Sequence, residues 1–152
     1  MLEAIPIEDK EAAEEVWALQ HAAYRVEASL IGVAELPPLR DTIESLRASN
    51  ERFYGLREAD GELVGVISYE IGREGRHAIC RLMVSPPFFR QGIGSSLLHG
   101  LLRCFPSVRW SVTAEIRNLP ALALYEKAGF VRKRTLQPAP GITLIELELE
   151  AM

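Results

Sequence analysis

Cysteine and basic charge are both scarce in this sequence, and each shortage excludes a class of protein. Cys80 and Cys104 are its two cysteines, far apart and without a Cys-x-x-Cys or histidine-rich spacing, so we expect neither a disulfide framework nor a metal site. The formal net charge is -4 at pH 7, whereas a nucleic-acid-binding surface normally carries a basic excess. We therefore expect reduced thiols, no metal and no nucleic-acid partner.

Long apolar segments are also lacking. No apolar run approaches the roughly 20 residues of a membrane-spanning helix, and residues 1–10 are acidic, with no apolar stretch of signal-peptide length. What the sequence does contain is ordinary for a globular protein, with 48% hydrophobic and 25% charged residues in a length of 152. We expect a single domain over residues 1–152 that is soluble, cytoplasmic and not associated with membranes.

Hydrophobic periodicity and turn signals predict an α/β fold. Apolar residues at helical spacing predict helices, and short apolar runs bounded by turn signals such as Asp60-Gly61 predict strands. The predicted helices cover residues 7–29, a short segment from about 43, 95–105 and 119–128, and the predicted strands cover 52–58, 62–70, 77–84, 108–114, 130–136 and 142–149. This order indicates a mixed α/β domain, with a mostly antiparallel central sheet flanked by helices.

A glycine-containing turn joins the third predicted strand to the next helix. Such a turn directs unpaired backbone N–H groups and the positive end of the helix dipole toward one point, which favours phosphate. The candidate cofactor-binding residues of this turn are Arg90, Gln91, Gly92, Ile93, Gly94 and Ser95. Gly92 and Gly94 carry no side chain that would hold a phosphate at a distance, while Arg90 adds a cation and Ser95 a hydroxyl group.

Two nucleotide-binding loops fit this turn poorly. A Walker loop requires a lysine after its last glycine, where this sequence has Ser95-Ser96. A dinucleotide-binding loop requires a third glycine for close packing of helix on strand, where this sequence has Leu97. Glu115 lies about 20 residues further on, as a ribose-binding acid would, so a nucleotide-dependent oxidoreductase remains an alternative.

Two stretches of the sequence resemble the signatures of the GNAT superfamily of N-acetyltransferases. Residues 84–98, VSPPFFRQGIGSSLL, resemble its pyrophosphate loop, Gln/Arg-x-x-Gly-x-Gly/Ala after a strand, except that Phe89 stands where the family has Gln or Arg. Residues 118–130, NLPALALYEKAGF, match its second signature, Asn-x-x-Ala-x-x-Leu-Tyr-x-x-x-Gly-Phe, at every named position. Asn118 and Gly129 are also a fitting cap and stop for the helix between them.

The resemblance implies an acetyl-CoA-dependent N-acetyltransferase with a GNAT-like fold, in which a primary amine of a small molecule or protein attacks the acetyl group directly. The tyrosine at the position of Tyr125 lies near the thioester sulfur in that family and protonates the departing thiolate, so Tyr125 is the expected catalytic residue and a cofactor contact. A backbone donor near Met83 or Val84 would hold the oxyanion, and Asn118 and Ala121 would contact the cofactor. A homodimer is an alternative to a monomer.

The base that takes the amine's proton is not identified by the sequence. Many relatives carry an acidic residue just before the Leu-x-Val of the loop strand, where this sequence has Arg81, which cannot act as a base. Glu70 and Glu115, at the ends of neighbouring predicted strands, and a water chain are the candidates. Cys80 has no paired histidine and is expected to be a small buried residue rather than a nucleophile.

Acceptor specificity is expected to come from residues 27–40 and the last hairpin turn, because these would border the acceptor end of a family-like cleft. Tyr24, Glu27 and Glu35 are the polar groups there, and the acidic ones suit a cationic amine. Because the usual acid is replaced by Arg81, a non-catalytic acyl-CoA-binding module is a further alternative.

Overall fold

The computed structural model describes residues 2–33 and 36–151. The strands within these residues are β1 (Glu3–Ile5), β2 (Arg52–Arg57), β3 (Leu63–Ile71), β4 (Arg76–Val84), β5 (Arg109–Glu115), β6 (Val131–Ala139) and β7 (Ile142–Leu149). They form one seven-stranded sheet in the order β1-β2-β3-β4-β5-β7-β6. Neighbouring strands are antiparallel except β4 and β5, which are parallel. The predicted mixed α/β fold is confirmed, and β1 is an addition, because three residues are too few to show an alternation.

The helices of the same residues are joined to the sheet by recognisable caps. They are α1 (Lys10–Ile31), α2 (Ile43–Arg47), α3 (Ile93–Cys104) and α4 (Leu119–Lys127), with short 3₁₀ helices at Pro37–Arg40 and Pro86–Phe88. Asp9 caps α1 by accepting a hydrogen bond from the Ala12 N–H at 3.1 Å, and Gly32 ends it with a left-handed φ of 78°. In the described part of the chain, no helix has the length and apolar character to cross a membrane.

The helices pack on the sheet in two layers. α1 and α2 cover the face that carries Met83, and α3 and α4 cover the face that carries Trp110. β3 lies between the layers and is buried from Leu63 to Tyr69. Gly65 allows α3 to approach this strand closely, because an added Cβ would lie 2.7 Å from Ile93 Cγ2. The start of α3 is thereby held against the centre of the sheet.

The parallel pair of strands separates along its length. Within the described residues, β4 and β5 pair only through Arg76 with Arg109, His77 with Trp110 and Ala78 with Ser111. Beyond these pairs, β4 continues to Val84 beside β3, and β5 continues to Glu115 beside β7. The two strands therefore enclose a cleft that opens toward their carboxyl ends.

A β-bulge lies where this separation begins. Ser68 pairs with Arg81 and Tyr69 pairs with Ile79, so Cys80 is an extra residue on β4. Such an insertion bends and twists the bulged strand. Cys80 is exposed at this point, and the expectation of a buried cysteine is wrong because the bulge turns it out of the regular alternation.

Arg81 ties both helices of one layer to the sheet. Its guanidinium lies 2.6 Å from Asp41 Oδ2, 2.7 Å from Glu51 Oε1 and 2.9 Å from Gln20 Oε1. Ser68 of β3 donates to the same Glu51 oxygen at 2.7 Å. Burial alone would raise the pKa of Asp41, but the bonds from Arg81 and Gln20 outweigh burial and lower it. Asp41 and Glu51 are therefore both ion-pair partners of a nearly buried cation.

Replacing Arg81 is expected to be costly, because Asp41 and Glu51 would stay in place without their cation. Arg81→Met should lower the free energy of unfolding by about 3–5 kcal/mol, as for other broken buried ion pairs. The matched control is Arg134→Met, whose partner Glu146 is 2.9 Å away but whose side chain is 64% exposed; about 0–1 kcal/mol is expected there. Urea unfolding of the three proteins measures both effects, and equal small losses would contradict the prediction.

Candidate active site

Tyr125 lies where the cleft between β4 and β5 meets α4. The residue is 5% exposed, and its ring packs edge-on against Phe130, with ring centroids 5.7 Å apart. Burial, with the nearby Tyr24 and Glu27 of α1, raises the pKa of Tyr125 far above its ordinary value. The hydroxyl group is therefore protonated at neutral pH, and burial makes it a weaker acid than the hydroxyl of an exposed tyrosine.

Side chains of α1 and α4 approach each other through this cleft. The two helices pack on opposite faces of the sheet, yet Tyr24 and Glu27 are close enough to Tyr125 to act on its pKa. This influence across the sheet is consistent with the separation of β4 and β5, whose described residues pair only from Arg76 to Ala78 of β4. The cleft is thus the place where polar groups of both layers meet.

Asn118 lies at the start of α4 and is near enough to Glu27 of α1 to influence its pKa. Asn118 is 9% exposed and caps α4, because its Oδ1 accepts from the Ala121 N–H at 3.3 Å. Burial raises the pKa of Glu27, the nearby Asn118 amide opposes that rise, and the charge of Glu115 adds to it. The predicted helix cap is confirmed, while contacts of Asn118 and Ala121 with acetyl-CoA stay predictions.

The backbone of β4 presents hydrogen-bond donors to the cleft. The Ser85 N–H donates toward β3, to the Val64 carbonyl oxygen, at 2.8 Å. Because N–H groups alternate in direction along a strand, the N–H of Val84 points to the cleft and that of Met83 points to β3. Val84 therefore suits the predicted oxyanion donor by its direction, and both residues stay predictions as cofactor contacts.

The predicted phosphate-binding turn is exposed and has left-handed backbone at two residues. Arg90 has a φ of 63° and Gly92 a φ of 79°. Gly92 is the N-cap residue of α3 and provides no side-chain hydrogen bond to the helix. The N–H groups of the first helical turn, at Ile93, Gly94 and Ser95, consequently have no partner within the helix. Such a terminus is an anion-binding site in its geometry. The turn brings together the whole predicted set, Arg90, Gln91, Gly92, Ile93, Gly94 and Ser95.

This turn lies beside the helix that carries Tyr125. A Cβ on Gly94 would be 3.6 Å from Leu124 Cδ2 of α4 and 3.9 Å from Val84 Cγ2 of β4. Phe89, which departs from the family loop, ends the preceding 3₁₀ helix and is 39% exposed. The Ser95 hydroxyl is 3.1 Å from Nδ1 of His99, one helical turn further on. The glycine-containing turn and the cleft are therefore neighbouring parts of one surface.

Glu115 ends β5, and its carboxylate is fully engaged. Oε1 accepts from the Arg117 backbone N–H at 2.8 Å and from Arg117 Nε at 3.0 Å, while Oε2 accepts from the Thr143 N–H at 2.9 Å. The Arg117 guanidinium, together with these N–H groups, lowers the pKa of Glu115 to about 2 against the effect of burial. Glu115 thus holds β5 to the start of β7 and is a poor general base at neutral pH.

Glu70, the other carboxylate considered from sequence, lies near the bulge. Its carboxylate, that of Glu51 and the Cys80 sulfur lie within 4.8 Å of one another. Partial burial and the two carboxylates raise the pKa of Cys80 to about 12, so the thiol is protonated at neutral pH. Glu51 is already paired with Arg81, and this cluster is a different group from the one around Tyr125.

Sequence reasoning named Tyr24 and Glu27 as polar groups near the acceptor end, but not their contacts. Together with Gln20 they follow one another at spacings of four and three residues, so they share one face of α1. That face otherwise packs on the core through residues such as Val16 and Ala23. Polar residues on the otherwise apolar face of a predicted helix were the sequence feature that could have indicated these contacts. Glu35, the third group, lies outside the described residues.

The chain matches a family model and a longer curated protein. The model described as the acetyltransferase (GNAT) family matches residues 12–130. The UPF0157 protein YqkA of Bacillus subtilis (strain 168) is 39% identical over 148 residues, which are 95% of this chain and 42% of that protein. The chain therefore spans about two-fifths of the length of this relative.

Solved structures share the fold. The ribosomal-protein-S18-alanine N-acetyltransferase from Escherichia coli superposes with a TM-score of 0.78 over 100% of this chain and 94% of its own, at 16% identity. The PaiA N-acetyltransferase from Thermoplasma acidophilum, in complex with coenzyme A, superposes with a TM-score of 0.73 over 96% and 98%, at 16% identity. Both are similar to this chain across nearly its whole length.

Glu115→Gln is expected to lower the free energy of unfolding at pH 7 by about 1–3 kcal/mol, because hydrogen bonds to a charged acceptor contribute about this much. The pKa of Glu115 falls from 4.5 to about 2 on folding, so its stabilisation is complete above pH 4.5 and is lost as the pH falls toward 2. Denaturant unfolding should therefore show a gap between wild type and variant that narrows over this range.

The exposed Glu58 provides the control, since Glu58→Gln should change stability by less than about 0.5 kcal/mol. A gap for Glu115→Gln that stays constant from neutral to strongly acidic pH would contradict the assigned role of Glu115.

Proposed function

Because this chain belongs to the GNAT family of acetyltransferases, we propose that it transfers an acetyl group from acetyl-CoA to a primary amine of a small molecule or a protein. The observation that carries the proposal is the buried, protonated hydroxyl of Tyr125 in a cleft next to an anion-binding turn. A proton donor at one end and a phosphate site at the other suit a long thioester cosubstrate. That the chain works in the cytoplasm, and as a monomer or a homodimer, stays a prediction.

The turn at the start of α3 fits the pyrophosphate of CoA. The free N–H groups at Ile93, Gly94 and Ser95 would donate to phosphate oxygens, and the helix dipole favours their negative charge. Apart from the residues next to it in the chain, no described residue lies within 4 Å of the place where a Gly92 Cβ would stand, so the backbone is open to approach. Arg90 is exposed and would add the cation that Phe89 does not provide.

Tyr125 and Val84 fit the chemistry of direct acyl transfer. The amine nitrogen forms a bond to the acetyl carbon, the Val84 N–H donates to the oxyanion, and the bond from carbon to sulfur breaks. Tyr125 gives its proton to the sulfur, whose thiol has an ordinary pKa near about 8.5 and leaves more readily when protonated. Cys80 is a poor alternative nucleophile, because its raised pKa keeps it a thiol.

Tyr125→Phe is expected to lower kcat by about 100-fold, because a positioned general acid contributes roughly 10²–10⁴-fold. The acetyl-CoA dissociation constant should change by less than about threefold, since the hydroxyl acts on the departing sulfur. CoA release from acetyl-CoA with a panel of primary amines measures kcat. Tyr54→Phe is the matched control, because Tyr54 stacks on Tyr69 in β3, with ring centroids 6.4 Å apart. Equal kcat for both variants would contradict the role of Tyr125.

Arg90→Gly is expected to weaken acetyl-CoA binding by about tenfold, which corresponds to one lost charge-assisted contact of about 1.4 kcal/mol. The variant should be as stable as wild type or more so, because glycine adopts the φ of 63° without strain. Glu74→Gly is the matched control, since Glu74 has a φ of 56° in a distant turn. Thermal shifts with and without acetyl-CoA separate affinity from stability, and unchanged affinity for Arg90→Gly would contradict the prediction.

The same thermal-shift experiment decides between classes of function. A ligand at 100 times its dissociation constant stabilises the protein by about 2.7 kcal/mol, which is easily detected. Stabilisation by acetyl-CoA and CoA supports the proposal, whereas stabilisation by NAD or NADP alone would favour an oxidoreductase. If acetyl-CoA binds and no amine of a broad panel releases CoA, the chain is an acyl-CoA-binding module.

A further inference from the structure

We propose that Arg81 and Asp41 are positioning residues for the acceptor amine, because their contact fixes residues 38–41 as a wall of the acceptor's entrance to the cleft. The inference rests on the acetyltransferase function proposed above and deepens it. Residues 38–41 lie between α1 and α2, and their side chains are half-buried or exposed. With so little apolar burial of its own, the segment depends on other elements to hold it in place.

The acceptor has to reach the cleft from the face of the sheet that carries α1 and α2. The glycine-containing turn belongs to the opposite face, where a Cβ on Gly94 would be 3.6 Å from Leu124 Cδ2 of α4. A cosubstrate whose phosphates bind at that turn occupies the cleft from the side of α3 and α4. Direct attack brings the amine nitrogen to the acetyl carbon, so the amine approaches from the face that the cosubstrate leaves open.

Arg81 lies at the edge of the cleft on this open face. The described pairing of β4 with β5 ends at Ala78, so Arg81 belongs to the part of β4 that lines the cleft. Its guanidinium carbon lies 5.8 Å from the centre of the Phe53 ring, and Phe53 packs in the layer of α1 and α2. The contacts of Arg81 are therefore made on the side from which the acceptor comes.

The segment between α1 and α2 is held by hydrogen bonds from α1 and β4. Gln20 Nε2 donates to the Pro38 carbonyl oxygen and to Asp41 Oδ2, both at 2.9 Å. Trp17 Nε1 donates to the Asp41 carbonyl oxygen at 2.9 Å, and Arg81 Nη1 donates to Asp41 Oδ2 at 2.6 Å. Both ends of the segment are thus fixed by side chains of a helix and a strand.

Glu51 fixes Arg81 in turn. Its two oxygens accept from Arg81 Nε at 2.7 Å and from Nη2 at 2.9 Å, and Ser68 of β3 donates to the first of them at 2.7 Å. The side chains of Arg81 and Glu51 are 12% and 9% exposed. A buried network whose members are hydrogen-bonded is rigid, so Asp41 takes its position from the sheet. The acceptor then meets a wall that is already ordered, and less ordering entropy opposes its binding.

Asp41→Asn removes the charge from this contact and keeps the size of the side chain. The KM of the acceptor is expected to rise about tenfold, which corresponds to one lost charge-assisted contact. By contrast, kcat and the acetyl-CoA dissociation constant should change by less than about threefold. CoA release is measured with spermidine, phenethylamine and alaninamide as acceptor probes. A lowered kcat with unchanged KM would contradict the role of Asp41.

The matched control for this variant is Asp60→Asn. Asp60 accepts a hydrogen bond from the Glu62 N–H at 2.9 Å in the turn between β2 and β3, so the same change of charge is made at a carboxylate that has no contact with residues 38–41. The control should keep the wild-type KM for every acceptor probe. A rise in KM equal to that of Asp41→Asn would attribute the effect to net charge and overturn the proposal.

Arg81→Lys tests the same contact from the other side. Lysine keeps the positive charge beside Asp41 and Glu51, so the fold should persist, but an ammonium group lacks the fork that joins both carboxylates. The KM of the acceptor should again rise about tenfold. The double variant with Asp41→Asn should raise it no further, because both substitutions break one contact. Wild-type KM in Arg81→Lys, or single increases that multiply to about 100-fold, would overturn the proposal.

Hydrogen exchange follows the segment without any acceptor. The Leu39 N–H donates to the Leu36 carbonyl oxygen at 2.9 Å, and the Asp41 N–H donates to that of Pro38 at 3.3 Å. In Asp41→Asn, a peptide covering residues 37–42 should exchange about tenfold faster than in wild type, while a peptide covering residues 119–127 should not change. A raised KM with wild-type exchange would overturn positioning in favour of direct contact between Asp41 and the acceptor.

These outcomes separate the inference from the proposed function. Wild-type exchange and wild-type acceptor KM in both single variants would overturn the roles of Arg81 and Asp41 and leave the acetyltransferase function standing. Wild-type protein that binds acetyl-CoA but releases no CoA with any amine would overturn the proposed function and the acceptor role together. Faster exchange in Asp41→Asn would then show a structural role alone.

Discussion

The early separation of β4 and β5 is the constraint on which the rest of this site depends. Two parallel strands that pair through three residue pairs and then diverge leave backbone N–H groups without a partner strand. Buried backbone donors need partners, and the Val84 N–H is one that the alternation along β4 directs to this cleft. The separation therefore creates donors inside a cleft, opens a path between the two helical layers, and lets α1 and α4 bring their side chains together.

The distribution of charge near the cleft depends on the ion pairs of Arg81. An arginine on β4 draws Asp41 and Glu51 to itself, and these contacts hold the segment around α2 against the sheet. The positive charge of Arg81 thereby offsets the negative charges of Asp41 and Glu51. Glu115 is likewise neutralised by Arg117.

Much of the fold was predictable because it depends on local signals. The element order, the glycine turn and the capped helix from Asn118 to Gly129 rest on periodicity, on φ preferences and on short-range hydrogen bonds. β1 was not predictable, since three residues show no period, and neither was the exposure of Cys80, since a bulge shifts the alternation without changing the composition of the strand. The partners of Arg81 come from positions 30 to 61 residues away along the chain, beyond the reach of any local pattern.

The sequence by itself determined the family and the mixed α/β fold, because both depend on residue types at short, fixed spacings; the phosphate-binding role of the glycine turn and the catalytic role of Tyr125 stay predictions from the same patterns. Only the tertiary structure decided which carboxylates are paired with an arginine. Glu27, Glu51, Glu70 and Glu115 are the same chemical group in the sequence. Their differences arise from burial and from the charges that distant strands and helices bring beside them, and a pattern of neighbouring residues does not contain that information.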